Sequence, residues 1–239
     1  MSVEIQPAQR TALVAGGTGL TGSALLRLLL AGAGYARVHA VTRRPLLLDH
    51  ARLANRVLAP EQIPAKLAGT RINDAFCCLG APQPRAATVA QLRAVDLELS
   101  LAFARAAQSL GATRFVVISA AGADPTAASA FLRVKGEMET ALRTLRFRSL
   151  DILQPHTVLG LRPQTSAARM LQMALRPWVN PLLRGRLDAL RAISGEDLAE
   201  AMGGAARTQR GGVQIYAGSG LRVLSQAMRR QGETAGLVT

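Results

Sequence analysis

The sequence is poor in several things, and each shortage removes a class of function. Aromatic residues make up only 3% of the 239 residues, too few for the stacked rings on which single-stranded nucleic acids are held. Lysine is almost missing. Of 29 basic residues only Lys66 and Lys135 are lysine, which leaves 27 arginines. The net charge of +14 is therefore carried by arginines scattered along the chain. It reads as solvated surface or a site for an anionic ligand, not as a nucleic-acid footprint. The densest basic stretch runs from Arg162 to Arg191, with Asp188 its only acid; an acidic substrate, a partner and water all suit it equally.

Cysteine is limited to two adjacent residues, Cys77 and Cys78. Consecutive strand residues point to opposite faces, which argues against a disulfide between them. No ligand set with metal spacing accompanies them, so no metal site is expected. Long hydrophobic runs are also missing. Ala24 to Ala33 comes nearest and is broken by Arg27, short of the roughly 18–20 residues that a membrane span needs. The opening MSVEIQPAQR has no basic region followed by an apolar stretch, so the expectation is no signal peptide and a cytoplasmic location.

What is present alternates. Apolar residues are 49% of the chain, enough for a sizeable core. Short apolar runs at Thr11–Ala15, Arg37–Thr42, Arg56–Ala59, Asp74–Leu79, Arg114–Ser119 and Leu150–Leu153 read as strands. Segments of helical spacing separate them, at Leu20–Leu30, Thr88–Leu110 and Ala130–Leu145. This order predicts an α/β fold with a Rossmann-type doubly wound parallel sheet. Later, Thr165–Leu175 reads as helix, Gly195–Ala206 as a helix capped by Ser194, Val213–Ala217 as a strand and Leu221–Arg230 as a last helix. The expectation is one domain, 1–239. Residues 11–155 form its dinucleotide-binding core, 156–212 a substrate-side elaboration, and 213–239 the late strand and C-terminal helix.

Between the first strand and first helix stands AGGTGLTG. Its glycines spell G-x-x-G-x-x-G at Gly16, Gly19 and Gly22, and G-x-G-x-x-G from Gly17. Glycine permits the turn, lets a pyrophosphate approach the backbone, and opens a helix N-terminus whose free N–H groups favour anions. Thr18 and Thr21 add hydroxyls, and Leu20 opens the helix. Fingerprints that select NAD place an acid near the end of the second strand. Here that strand ends in Arg43 and Arg44, and no acid precedes Asp49. Two guanidinium groups suit the 2′-phosphate of NADP. The expected cofactor is NADP(H) rather than NAD.

AGGTGLTG, VTRRP, DAFCCLG, RFVVISAAGADP, FLRVKGEMETAL and ILQPHTVLG together resemble the atypical short-chain dehydrogenase/reductase superfamily. They are most similar to its Tat-interacting-protein-like branch and bacterial relatives. The resemblance implies that Gly16, Gly19 and Gly22 line the pyrophosphate and that Arg43, with Arg44, meets the adenosine phosphate. It implies that Cys78, Leu79 and Gly80 pass under the adenine ribose. Ser119 would face the nicotinamide, Lys135 would hold its ribose, and Pro155 to Val158 would border it.

The chain departs from the family at Phe131. The family's catalytic tyrosine stands four residues before the lysine, and phenylalanine has no proton to give. Loss of a general acid costs about 10²–10⁴ in rate. Gln154 is a second departure, where relatives often carry arginine before the proline. His156, after the sixth strand, is a candidate proton source and equally a loop residue that only packs. Asp96 and Glu98 read as a solvated helix edge. Two functions stay open: an NADPH-dependent oxidoreductase of a small carbonyl substrate, with Ser119, Lys135 and His156 as its catalytic residues, and a non-catalytic NADP(H)-binding regulatory or redox-sensing module.

Overall fold

A computed structural model describes residues 10–81, 87–159 and 192–236. The helix expected at Thr165–Leu175 and the basic stretch from 162 to 191 lie outside the described residues, as does most of the expected elaboration.

Seven strands form one sheet. They are β1 (Thr11–Ala15), β2 (Arg37–Thr42), β3 (Leu53–Val57), β4 (Asp74–Cys77), β5 (Arg114–Ile118), β6 (Ser149–Gln154) and β9 (Gly212–Ala217), in the order β3-β2-β1-β4-β5-β6-β9. Every neighbouring pair is parallel. A short parallel pair, β7 (Thr157–Leu159) with β8 (Ala192–Ser194), stands apart. The alternation within strands sorts their side chains to two cores. Ala75, Cys77, Phe115, Val117, Leu150 and Ile152 face one way, and Phe76, Val116 and Leu153 the other. A parallel strand that is covered on both faces has no polar side, which is why these runs are apolar throughout.

The helices supply the covers. On the first face lie α2 (Ile63–Lys66), α3 (Val89–Leu92), α4 (Ser100–Ser109) and α5 (Ala130–Thr144), contributing Leu92, Phe103, Val134, Met138 and Leu142. On the second lie α1 (Leu20–Ala31), α6 (Gly195–Arg207) and α7 (Ser219–Gly236), contributing Leu25, Leu29, Leu198, Met202 and Leu224. Ser194 caps α6 as expected. Its hydroxyl oxygen accepts the Asp197 N–H at 2.9 Å, and Asp197 accepts the Ser194 N–H at 3.4 Å.

Two details differ from the sequence expectation. β3 begins at Leu53, before the run that marked it. The long helix expected over Thr88–Leu110 is not uniform: Arg93–Leu99 between α3 and α4 takes the wider π geometry. That change of pitch turns Asp96 inward, to 0% exposure, while Glu98 stays on the surface. The solvated-edge reading holds for Glu98 and is corrected for Asp96.

Candidate functional site

The chain reverses its direction of travel across the sheet at β1, whose neighbours are β2 and β4. In open α/β sheets the crevice beyond the strand ends at such a point is where ligands bind. The glycine turn occupies it. Gly16 has φ +81°, and a Cβ there would lie 2.5 Å from the carbonyl oxygen of Cys78. A Cβ on Gly22 would lie 2.2 Å from the carbonyl oxygen of Gly16. Backbone therefore meets backbone at both places, and any side chain would force the turn open. The Gly19 N–H donates to Gly16 O at 2.9 Å, which closes the turn. Gly19 is also the N-cap of α1, with no side-chain cap and no acid in the first helical turn. The first-turn N–H groups keep their partial positive charge for an anion. Thr18 is exposed beside them, while the Leu20 side chain turns away and packs over the start of α6 at Gly195.

Beside this turn is a cavity of about 550 Å³ lined by Gly17, Thr18, Ser23, Leu26, Arg27, Arg44, Pro45 and Leu46–Leu48. Arg44 lines it, Arg43 is exposed next to it, and Arg27 of α1 adds a cation from the other wall. The loop that carries the arginines is pinned by a residue the sequence reading passed over. Asn55 donates to Thr42 Oγ1 at 2.8 Å and to Ala40 O at 3.2 Å, and accepts the Leu46 N–H at 2.9 Å.

At the ends of β4, β5 and β6 the remaining site residues come together in part. Cys78 and Leu79 pass against Gly16, and the Cys78 N–H donates to Ala15 O at 3.0 Å. Burial pushes both thiols above their ordinary range. Cys77 meets Ser100 and Cys78 meets Met202, each at 3.7 Å. At Cys77 burial outweighs the Leu79 N–H, Ser100 and Lys135, which favour the thiolate, and the cysteines are packing residues on opposite faces. Gly80 lies within 3.5 Å of Asp96 Oδ1, measured from where its Cβ would be.

Lys135 is 3% exposed. Its Nζ lies 2.7 Å from Asp96 Oδ1 and donates to Ile118 O at 3.2 Å. The other Asp96 oxygen accepts the Ala81 N–H at 3.2 Å. Phe131, one turn earlier on α5, packs half-buried against the core. Both tyrosines of the chain are engaged elsewhere: Tyr35 donates to Asp74 at 2.7 Å and Tyr216 to Asp151 at 3.3 Å. No tyrosine stands in for the missing one.

One turn after Lys135 is a group that sequence reading missed. Glu139 is 5% exposed. Its Oε1 accepts the Ser119 hydroxyl at 2.5 Å and the Gln154 amide at 2.8 Å. The signal was its position, four residues from Lys135 on the same helix face. Pro155 is buried, and its carbonyl accepts the Ala121 N–H at 3.0 Å. Val158 is half-buried against the second core. His156 is exposed in the turn between β6 and β7 and makes no hydrogen bond to a described residue. It does not join Ser119 or Lys135.

No family model matches the chain. Its fold is that of solved structures at low identity. A structure of MoeE5 in complex with UDP-glucuronic acid and NAD aligns with a TM-score of 0.65 at 20% identity, over 86% of this chain and 75% of that one. The Helicobacter pylori ADP-L-glycero-D-manno-heptose-6-epimerase aligns with a TM-score of 0.65 at 15% identity, over 97% and 85%. Among sequences, Protein FMP52, mitochondrial, of Eremothecium gossypii is 33% identical over 63% of this chain and 67% of its own length. The Emericella nidulans protein of the same name is 30% identical over 64% and 69%. Protein HTATIP2 of Rattus norvegicus is 28% identical over 68% and 68%. Fold and relatives together define a protein of the short-chain dehydrogenase/reductase-like class. Within it, the chain belongs to the FMP52 family. The expectation of a cytoplasmic location is corrected by the same finding, since the FMP52 relatives are named mitochondrial. Among the described residues no helix is long and apolar enough to cross a membrane.

Proposed function

We propose that the protein binds NADP(H) along the C-terminal edge of its sheet. The observation that carries this reading is the backbone-on-backbone turn at Gly16 and Gly22 under an uncapped helix start. Such a turn leaves room for a pyrophosphate where any other residue would leave none. In this reading Gly16, Thr18, Gly19, Gly22 and the Leu20 N–H surround the pyrophosphate. Arg44, Arg43 and Arg27 hold the 2′-phosphate, and Cys78–Gly80 underlie the adenine ribose. Lys135, Ser119, Pro155 and Val158 border the nicotinamide end. Several solved neighbours are described with NAD bound, which supports a nicotinamide dinucleotide; the preference for NADP rests on the arginines alone.

When bound, the dinucleotide supplies a hydride donor or acceptor. The rest must come from the chain, and the family's route through tyrosine is closed at Phe131. The activity we assign is oxidoreduction of a small hydroxyl or carbonyl compound with Ser119 at the reacting centre. A second reading, a binding module without turnover, is favoured by one observation: Lys135 is committed to a buried pair with Asp96. NADPH fluorescence titration of the wild type and of Gly22→Ala tests the binding. Saturable binding that weakens about fivefold or more in the variant is expected, since overpacking a fitted site costs about 1–3 kcal/mol. An unchanged affinity would show that the ligand does not lie on this turn. Assay of Phe131→Tyr beside the wild type separates the two activities. Turnover in the variant alone would select the binding module.

A further inference from the structure

Ser119 has one hydroxyl hydrogen. Its oxygen lies 2.5 Å from Glu139 Oε1, and a carboxylate only accepts, so that hydrogen is spent inward. Toward a ligand, Ser119 can then offer lone pairs alone. This reverses the polarity required for reducing a carbonyl, where the serine must donate to the substrate oxygen. The carboxylate that holds the hydrogen is itself unusual. Glu139 is buried, and among the described residues no cation pairs with it: its second partner is the neutral Gln154, and the nearby Lys135 pairs with Asp96. At 2.5 Å, Glu139 Oε1 is placed to receive the hydrogen of Ser119 directly.

We propose that the site is built to receive an alcohol and to take its proton, with Ser119 as the group in contact and Glu139 as the positioning residue and proton acceptor behind it. The inference rests on the dinucleotide reading above. The substrate hydroxyl donates to Ser119 Oγ. As the O–H bond breaks, its proton passes to Ser119, and the serine's own hydrogen passes to Glu139 Oε1. Oxidised NADP, were it bound here, would supply the acceptor for the hydride of the carbinol carbon. One alcohol and one NADP⁺ thus give one ketone, one NADPH and one proton held on Glu139. Gln154, half-buried, is the member of the cluster nearest solvent. Its identity matters because an arginine there would put a cation beside Glu139 where the chain has a neutral amide.

Two variants test this, with one readout that needs neither cofactor nor substrate. In the ligand-free protein at neutral pH, Q154R should raise Tm by a few degrees by giving Glu139 its cation, and E139Q should hold or raise it. A fall in Tm for both would mark Glu139 as a structural anchor and overturn the proposal. NADPH titration of each variant comes next. If the wild type does not bind, it is the dinucleotide reading that fails; if E139Q and Q154R bind like the wild type, they are folded and loaded. Matched pairs of secondary alcohols and their ketones are then assayed with NADP⁺ and NADPH between pH 6 and 10. The wild type should favour the alcohol direction. E139Q should lose about 10²-fold or more in kcat together with the acid limb of the pH profile. Q154R should lose kcat with KM kept. Preferred ketone reduction, a pH profile unchanged in E139Q, or no turnover across the panel by a protein that binds NADP(H), would each overturn the proposal.

Discussion

His39 sits in the middle of β2, 7% exposed, and among the described residues its Nδ1 has no hydrogen-bond partner. Burial, reinforced by Arg37 and Arg56, pushes its imidazole down to about 4 from an ordinary 6.5. The folded chain therefore holds it neutral while the unfolded chain still binds a proton between those values. Stability is full above about pH 6.5 and falls as the pH drops toward 4, by up to about 3 kcal/mol. Urea denaturation of His39→Leu across that range should show a flatter profile than the wild type. A parallel decline in both would place the acid sensitivity elsewhere. At the same scale, the site was legible where chemistry is written in residue type: the glycines, the two arginines, Lys135 and the replaced tyrosine. Asp96 and Glu139 were not, because a carboxylate on a helix ordinarily faces water. Only the packing shows that both turn inward, one to an ammonium and the other to a hydroxyl.

Elements set how firmly those residues are held. The arginine-bearing loop after β2 owes its shape to Asn55 on β3, which bonds Ala40, Thr42 and Leu46. Asn55→Ala should weaken NADPH binding about tenfold or more while leaving NADH binding nearly unchanged, because it loosens Arg43 and Arg44 without touching the glycine turn. Equal losses for both dinucleotides would mean that the loop does not read the 2′-phosphate. Strand and helix periodicity located nearly every element, since two fully covered faces produce unmistakable apolar runs. The exceptions have physical causes. β3 is an edge strand with Arg56 and Val57 exposed, so its pattern is weak. The π segment at Arg93–Leu99 looks like α-helix in sequence, because a wider turn leaves no mark on composition. The β7–β8 pair joins residues far apart in the chain and has no local signal.

Across the whole molecule, the proposed binding site and the main ionic network lie at opposite edges of the sheet. The glycine turn and the Ser119 cluster lie at the C-terminal edge. At the N-terminal edge, Arg114 joins three elements: it donates to Ala205 O and Thr208 O at the end of α6, each at 2.5 Å, and meets Asp151 at 3.4 Å and Asp74 at 3.9 Å. Asp74 also takes both Arg10, in a two-pronged contact at 2.7 and 2.5 Å, and Tyr35. Burial raises the Asp151 carboxyl above its ordinary range despite Ser149 and Arg114, so this network is held by its geometry. Removing one partner of a buried ionic network costs about 3–5 kcal/mol. Arg114→Ala should lower stability by that order in chemical denaturation, while the folded fraction binds NADPH like the wild type. Loss of binding without loss of stability would show that the two edges are coupled.

We propose that the turn at Gly16–Gly22 and the arginines beside it form an NADP(H) site. The most direct test is a paired equilibrium titration of the wild type with NADPH and NADH, followed by ligand fluorescence, and repeated on Arg44→Ala. Saturable binding of both is expected, NADPH at least about tenfold the tighter, with the gap closing in the variant. Absence of saturable binding, or NADH bound as tightly as NADPH, would contradict it.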